Sequence, residues 1–202
     1  MYREFLAVDM RLAVVVNPDA GLGGKLGFNG SDGRAAEARA AGAQDRAGPR
    51  MRICLEKLAE LARKPIEILA WDGRMGGDWI PGEYTSTGNT PDTTDATSTS
   101  EFIKAHSPDL FLYAGGDGTT RDIVEALGER EIPLVGVPGG VKMHRGCFAT
   151  TPKAAAEVVW SFFTGDLMLA RTEVMDLDEE VYRKGEWKVR MYGEAFTPAS
   201  PR

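Results

Sequence analysis

Short β-branched and aliphatic runs alternate with amphipathic stretches along the first 165 residues or so. Leu12 to Val16 (LAVVV) stays apolar throughout and stops at Asn17-Pro18, which predicts a parallel strand buried on both faces. Ile66 to Ala70, Leu110 to Ala114 and Ile132 to Val137 have the same character, so four strands are expected. Pro49 opens a helix to about residue 63, with Met51, Leu55, Leu58 and Leu61–Ala62 on one face. Residues 119–128 form the next helix and end at Gly128. Pro152 opens another, to about Thr164, with Ala155, Val158, Val159, Phe162 and Phe163 as its apolar positions. Residues 34–48, rich in Ala, Arg and Gly, admit a short helix. Residues 82–100 (GEYTSTGNTPDTTDATSTS) are polar and read as a mobile loop. Its end enters a helix of poor propensity that reaches Lys104.

Strand and helix in alternation predict an α/β fold, an open and mostly parallel sheet with helices on both faces. After residue 170 the pattern changes. Thr172 to Leu177 and Lys188 to Tyr192 read as strands with no helix between them, the start of an antiparallel unit. Two strands alone are marginal and leave an open edge. That edge favours pairing between chains, so a homo-oligomer is one expectation.

Ligands of open α/β sheets bind outside the carboxyl ends of the strands. Glycine loops lie at each such end, at 17–33 (with Gly23 and Gly24), 72–78, 115–119 and 138–146. The most informative is Gly115-Gly116-Asp117-Gly118-Thr119, between the strand 110–114 and a helix. Glycines let the backbone approach a ligand, and the amides at a helix N-terminus favour an anion. A carboxylate there repels the anion unless it binds a metal or takes a proton. The run therefore points to phosphoryl transfer, with the backbone of Gly115, Gly116, Gly118 and Thr119 for phosphate and Asp117 for Mg²⁺ or the attacking hydroxyl. The plainer alternative is a helix cap made by Asp or Thr.

Other residues carry paired readings. Arg121, in the first helical turn, either clamps an anion or pairs with Glu125. Asp122 either orients Arg121 or suits the helix dipole. Lys142 either meets phosphate or is a solvated loop lysine. Asn17 either touches ligand or fixes its own loop. Lys25 is a weaker phosphate candidate, and His144 reads as structural.

Composition narrows the partners. The chain has 202 residues, 43% of them apolar, with a net charge of −6 and no basic block, which argues against a nucleic-acid binder. Cys54 and Cys147 are far apart, and with His106 and His144 they have no zinc spacing. They read as packed, reduced thiols. No apolar run approaches a membrane span, and the N-terminus lacks a signal-peptide core, so a cytoplasmic protein is expected.

Six segments in order carry a resemblance. VNPDAGLGGKLGFNGSDG, DGRMGG, the Asp95 region, DLFLYAGGDGTTRDI, PLVGVPGGVKMHRGCFATTP and TEVMDLDEE resemble the ATP-NAD kinase family, in its branch linked to acetoin catabolism. The GGDGT turn alone is shared with diacylglycerol and sphingosine kinases. The resemblance implies transfer of the ATP γ-phosphoryl to the 2′-hydroxyl of NAD, with Mg²⁺ as cofactor. It implies Asp117 as the catalytic aspartate or metal ligand, and Gly115, Gly116, Gly118 and Thr119 as the phosphate cradle. Residues 1–170 would form the nucleotide-binding α/β domain and 171–202 the start of a β-rich domain. Family members usually run to over three hundred residues, and their β-rich domain completes the NAD site. The expectation is thus a chain that ends where that domain begins. The alternatives are a nucleotide-binding relative without turnover, which the absent half of the NAD site favours for this chain and which would make no NADP, or a kinase acting on another hydroxyl. The donor, ATP or polyphosphate, stays open. Thr120 and Gly139 stand where the family often has Ala, and Arg145 where it has Ser.

Overall fold

The computed structural model describes residues 10–22, 35–40, 44–139, 146–177, 184 and 189–199. The strands are β1 (Arg11–Val16), β2 (Glu67–Asp72), β3 (Thr85–Asn89), β4 (Leu110–Gly115), β5 (Leu134–Pro138), β6 (Met168–Leu177) and β7 (Val189–Ala199). The helices are α1 (Ala35–Ala40), α2 (Ala47–Leu61), α3 (Ala96–Ala105), α4 (Asp117–Leu127) and α5 (Pro152–Phe163). Five strands make one parallel sheet in the order β3-β2-β1-β4-β5, and β6 and β7 form a separate antiparallel pair.

Alternation along the strands builds two cores. Leu12, Val14 and Val16 of β1, with Leu110, Leu112 and Ala114 of β4, meet Met51, Leu55 and Leu58 of α2 and Ala155, Ala156 and Val159 of α5. Ala13 and Val15, with Phe111 and Tyr113, face Phe102 and Ile103 of α3 and Ile123, Ala126 and Leu127 of α4. Every residue of β4 is buried, as expected for a central parallel strand covered on both sides. The expected sheet with helices on both faces is the one observed.

Several boundaries differ from the sequence reading. The sheet has five strands rather than four, because Thr85–Asn89 within the polar run is a strand. It carries no large apolar residue and lies at the edge, so no hydrophobic period marks it. It is held by pairing with β2 and by the Thr87 hydroxyl, which lies 2.7 Å from His106 Nε2. The helix expected to begin at Pro49 begins at Ala47, with Pro49 still in the first turn, where its missing N–H costs nothing. Helix α4 begins at Asp117 rather than residue 119, so the motif's aspartate is itself helical. β6 and β7 are longer than the runs read as strands. Among the described residues no helix is long and apolar enough to cross a membrane.

Helix α3 starts despite its Thr and Ser content because Asp95 caps it. Asp95 Oδ1 accepts from the Ser98 amide at 3.1 Å, and the Asp95 amide donates to Ser98 Oγ at 3.3 Å. We predict that Asp95→Ala lowers stability by about 0.5–2 kcal/mol, the usual cost of a lost cap, read as a lower midpoint in urea unfolding.

Candidate active site

The strand order reverses between β1 and β4, and such a switch point opens a crevice at the carboxyl ends of the two strands. Asn17 follows β1 and Gly115–Thr119 closes β4, so both predicted residue sets lie at that crevice. Asn17 Nδ2 donates to Thr119 Oγ1 at 3.0 Å, across 102 residues of sequence. Asn17 Oδ1 accepts from the Asp19 amide at 3.1 Å, so this side chain also fixes its own loop. The Asn17 amide donates to Ala114 O at 2.9 Å, and the Val16 amide to Met75 O at 2.8 Å. The second glycine loop is thereby tied to the same place.

The turn itself is packed on bare backbone. A Cβ on Gly115 would lie 2.4 Å from Thr119 Oγ1, and one on Gly139 would lie 2.9 Å from Gly115 O. The Gly139 amide donates to Gly115 O at 3.0 Å, which joins the end of β5 to the end of β4. By contrast, a Cβ on Gly116 would meet nothing within 4 Å. Gly116 is the N-cap of α4 and has no side chain to cap it. The amides of Gly118 and Thr119, in the first turn, have no carbonyl four residues back within the helix. Amides, helix dipole and open space together suit an anion.

Asp117 is the first residue of α4 and half-buried. It lines a narrow pocket with Thr120, Gly146, Cys147, Phe148, Glu173 and Val174. Gly146 closes the loop 138–146 expected at this end, but the sequence reading missed Cys147, Phe148, Glu173 and Val174 as its lining, because they reach Asp117 only through the tertiary fold. The Cys147 carbonyl accepts from the Gly136 amide at 2.8 Å, and the Ala149 amide donates to Gly136 O at 3.0 Å, which lays this segment along β5.

Arg121 Nε lies 3.4 Å from Asp122 Oδ1, and each side chain is only 17% exposed. Its observed carboxylate partner is therefore Asp122 rather than the alternative Glu125. Lys142, Gly23 and Gly24, with Lys25 and His144, lie outside the described residues. A larger concavity of about 220 Å³ sits at the opposite end of α4, between Leu127–Ile132 and the β6–β7 pair. Its Arg130 is occupied by the carbonyls of His106 and Ile103 at 2.7 and 2.9 Å.

For a bound cation the described residues offer hard oxygen donors, Asp117 and Glu173, lining one pocket. Among them no cluster of three or more ligating side chains occurs. Such a set fits Mg²⁺, which commonly takes one or two carboxylates and completes its shell with phosphate and water.

The model of the ATP-NAD kinase N-terminal domain matches residues 12–167. The chain belongs to the ATP-NAD kinase family. It is 36% identical over 78 residues to a protein of Cytophaga hutchinsonii named NAD kinase, a match covering 37% of this chain and 26% of that protein. Two structures of a protein from Bacillus anthracis str. Sterne, described as a diacylglycerol kinase, superpose with TM-scores of 0.44 and 0.45. Both are at 16% identity, covering 84% of this chain and 46% of theirs. The chain thus spans about a quarter of the length of the curated relative it matches and under half that of the solved ones.

Both cysteines of this family member are buried, and burial pushes each thiol up to about 12. A thiol so raised carries almost no thiolate near neutral pH. We predict that neither reacts with a thiol reagent in the native protein at about pH 8, and that both react once urea unfolds it. Rapid labelling of native Cys147 would show that the segment along β5 opens readily.

Proposed function

We propose that this chain is an NAD kinase-type phosphotransferase acting in the cytoplasm, passing the γ-phosphoryl of ATP to the 2′-hydroxyl of NAD to make NADP. The observation that carries it is the amide-lined turn at the switch point, with Asp117 at the head of the following helix. In this reading residues 1–170 are the nucleotide-binding unit and 171–202 open a β-rich unit.

The backbone of Gly115, Gly116, Gly118 and Thr119 cradles the phosphate, with the amides of Gly118 and Thr119 donating to its oxygens while the Gly116 amide donates to Thr119 Oγ1, and the positive end of α4 favours its charge. Asn17 holds Thr119 and thereby the shape of that cradle. Arg121 and Lys142, with Gly23 and Gly24 of the first glycine loop, are assigned to binding the polyphosphate. Asp117 takes the proton of the acceptor hydroxyl or serves as the protein ligand of Mg²⁺. Bound there with the nucleotide's own phosphates, Mg²⁺ supplies neutralisation of the charge that repels an incoming hydroxyl. Positioning and charge neutralisation account for most of the acceleration in such transfers.

Incubation with ATP, Mg²⁺ and NAD, followed by an assay for NADP, tests the reading directly. Asp117→Asn is expected to lower NADP formation by about 10²–10⁴-fold, the usual cost of a lost base, with unchanged thermal unfolding. A near-native rate in that variant removes Asp117 from the chemistry. Arg121→Ala and Lys142→Ala are expected to weaken ATP more than NAD in titration calorimetry. Equal ATP affinity in both would remove these cations from the phosphate site.

A further inference from the structure

Gly116 poses a mechanical difficulty. It precedes Asp117, it lacks a side chain, and the space where a side chain would stand is open. Glycine has the widest choice of backbone angles, so packing alone does not fix this residue. What holds it is its own peptide polar groups. The Gly116 amide donates to Thr119 Oγ1 at 3.4 Å. The Gly116 carbonyl accepts from the Thr120 amide at 3.1 Å and from Thr120 Oγ1 at 3.3 Å.

Thr119 belongs to the motif, but Thr120 does not, and the function assigned so far makes no use of it. Thr120 is buried, and its Oγ1 lies 2.6 Å from the hydroxyl of Tyr113. Tyr113 is fully buried in β4 under α4. Counting protons orders the network. A carbonyl only accepts, so the single proton of Thr120 Oγ1 goes to Gly116 O. Tyr113 then donates to Thr120, and a directed chain runs from Tyr113 O–H through Thr120 O–H to Gly116 O. Burial raises the tyrosine's pKa well above its ordinary value, so this proton stays in place.

We infer that Thr120 and Tyr113 are positioning residues, a buried hydroxyl relay that sets the Gly116 peptide and so aims the α4 amides and Asp117 at the phosphate. The relay rests on the kinase reading for its catalytic consequence, but not for its effect on the loop.

Four variants of the full chain test it: Thr120→Ala, Thr120→Ser, Tyr113→Phe and the Thr120→Ala/Tyr113→Phe double. Two readouts are needed. The first is the amide signals of Gly116, Gly118 and Thr119 in nuclear magnetic resonance, with their hydrogen exchange, which report the loop whatever reaction the protein performs. Thr120→Ala is expected to shift these signals and speed their exchange, and Thr120→Ser to restore them. The second is the steady-state rate of NADP formation. Thr120→Ala is expected to lower kcat about tenfold at nearly constant KM for ATP, and Thr120→Ser to recover it. Tyr113→Phe has a smaller effect, and adds little once Thr120 is alanine, since both act through one carbonyl. If the parent chain makes no NADP, the proposed reaction fails and the relay is judged on the amides alone. Unchanged amides in Thr120→Ala overturn the relay. So does a kcat loss that Thr120→Ser shares in full, or one that tracks lowered thermal stability.

Discussion

The carboxyl end of β4 admits no side chain, and much of the molecule is arranged around that fact. Thr119 packs on Gly115 where a Cβ would be, and Gly139 lies against the Gly115 carbonyl. Two strand ends therefore meet backbone to backbone, with Asn17 of a third reaching across to Thr119. A substituent at Gly139 would force the two strand ends apart, and one at Gly115 would push Thr119 and the first turn of α4 away. The close approach fixes position, while the side of Gly116 stays open.

The layers beneath this turn give it rigidity. β1 and β4 are central strands with alternate residues locked into opposite cores, so neither can slip without exposing a whole set of side chains. Helix α4 is fastened along one side by Ile123, Ala126 and Leu127. Its N-terminus is thus presented by a packed element rather than by a loose loop. The β6–β7 pair packs Val174 and Ala195 into the same core and brings Glu173 to the pocket beside Asp117. The second sheet thereby contributes to the site as well as to the core.

Legibility in the sequence followed burial and range. LAVVV and LFLYA announced themselves because strands covered on both faces need continuous apolar runs. The GGDGT turn was legible because its chemistry is local, with glycines, carboxylate and helix start within five residues. β3 (TSTGN) gave no such signal, since an edge strand buries little and is held by main-chain pairing and the Thr87–His106 contact. The Asn17–Thr119 link, and the approach of Cys147 and Glu173 to Asp117, join residues that only the folded topology makes neighbours. Nothing in local composition encodes them. The caps lie between these extremes. Asp95 with Ser98 is a recognisable pair, yet the Thr- and Ser-rich surroundings masked it.

The strand order also dictates a timetable for synthesis. β1 takes β2 on one side early, but its other neighbour arrives late, since the Arg11 amide at the start of β1 meets Asp109, 98 residues further on. At ribosomal rates of about 5–20 residues per second, that flank of the apolar β1 waits roughly 5–20 s for its partner. The outer side of the nascent half-sheet is guarded by β3, whose Thr, Ser and Asn side chains offer a poor template to another chain. The inner side has no such guard until β4 emerges. Misassembly on the ribosome should therefore concentrate in that interval, and the same long-range pairing that creates the switch-point crevice leaves the nascent chain vulnerable before the crevice exists.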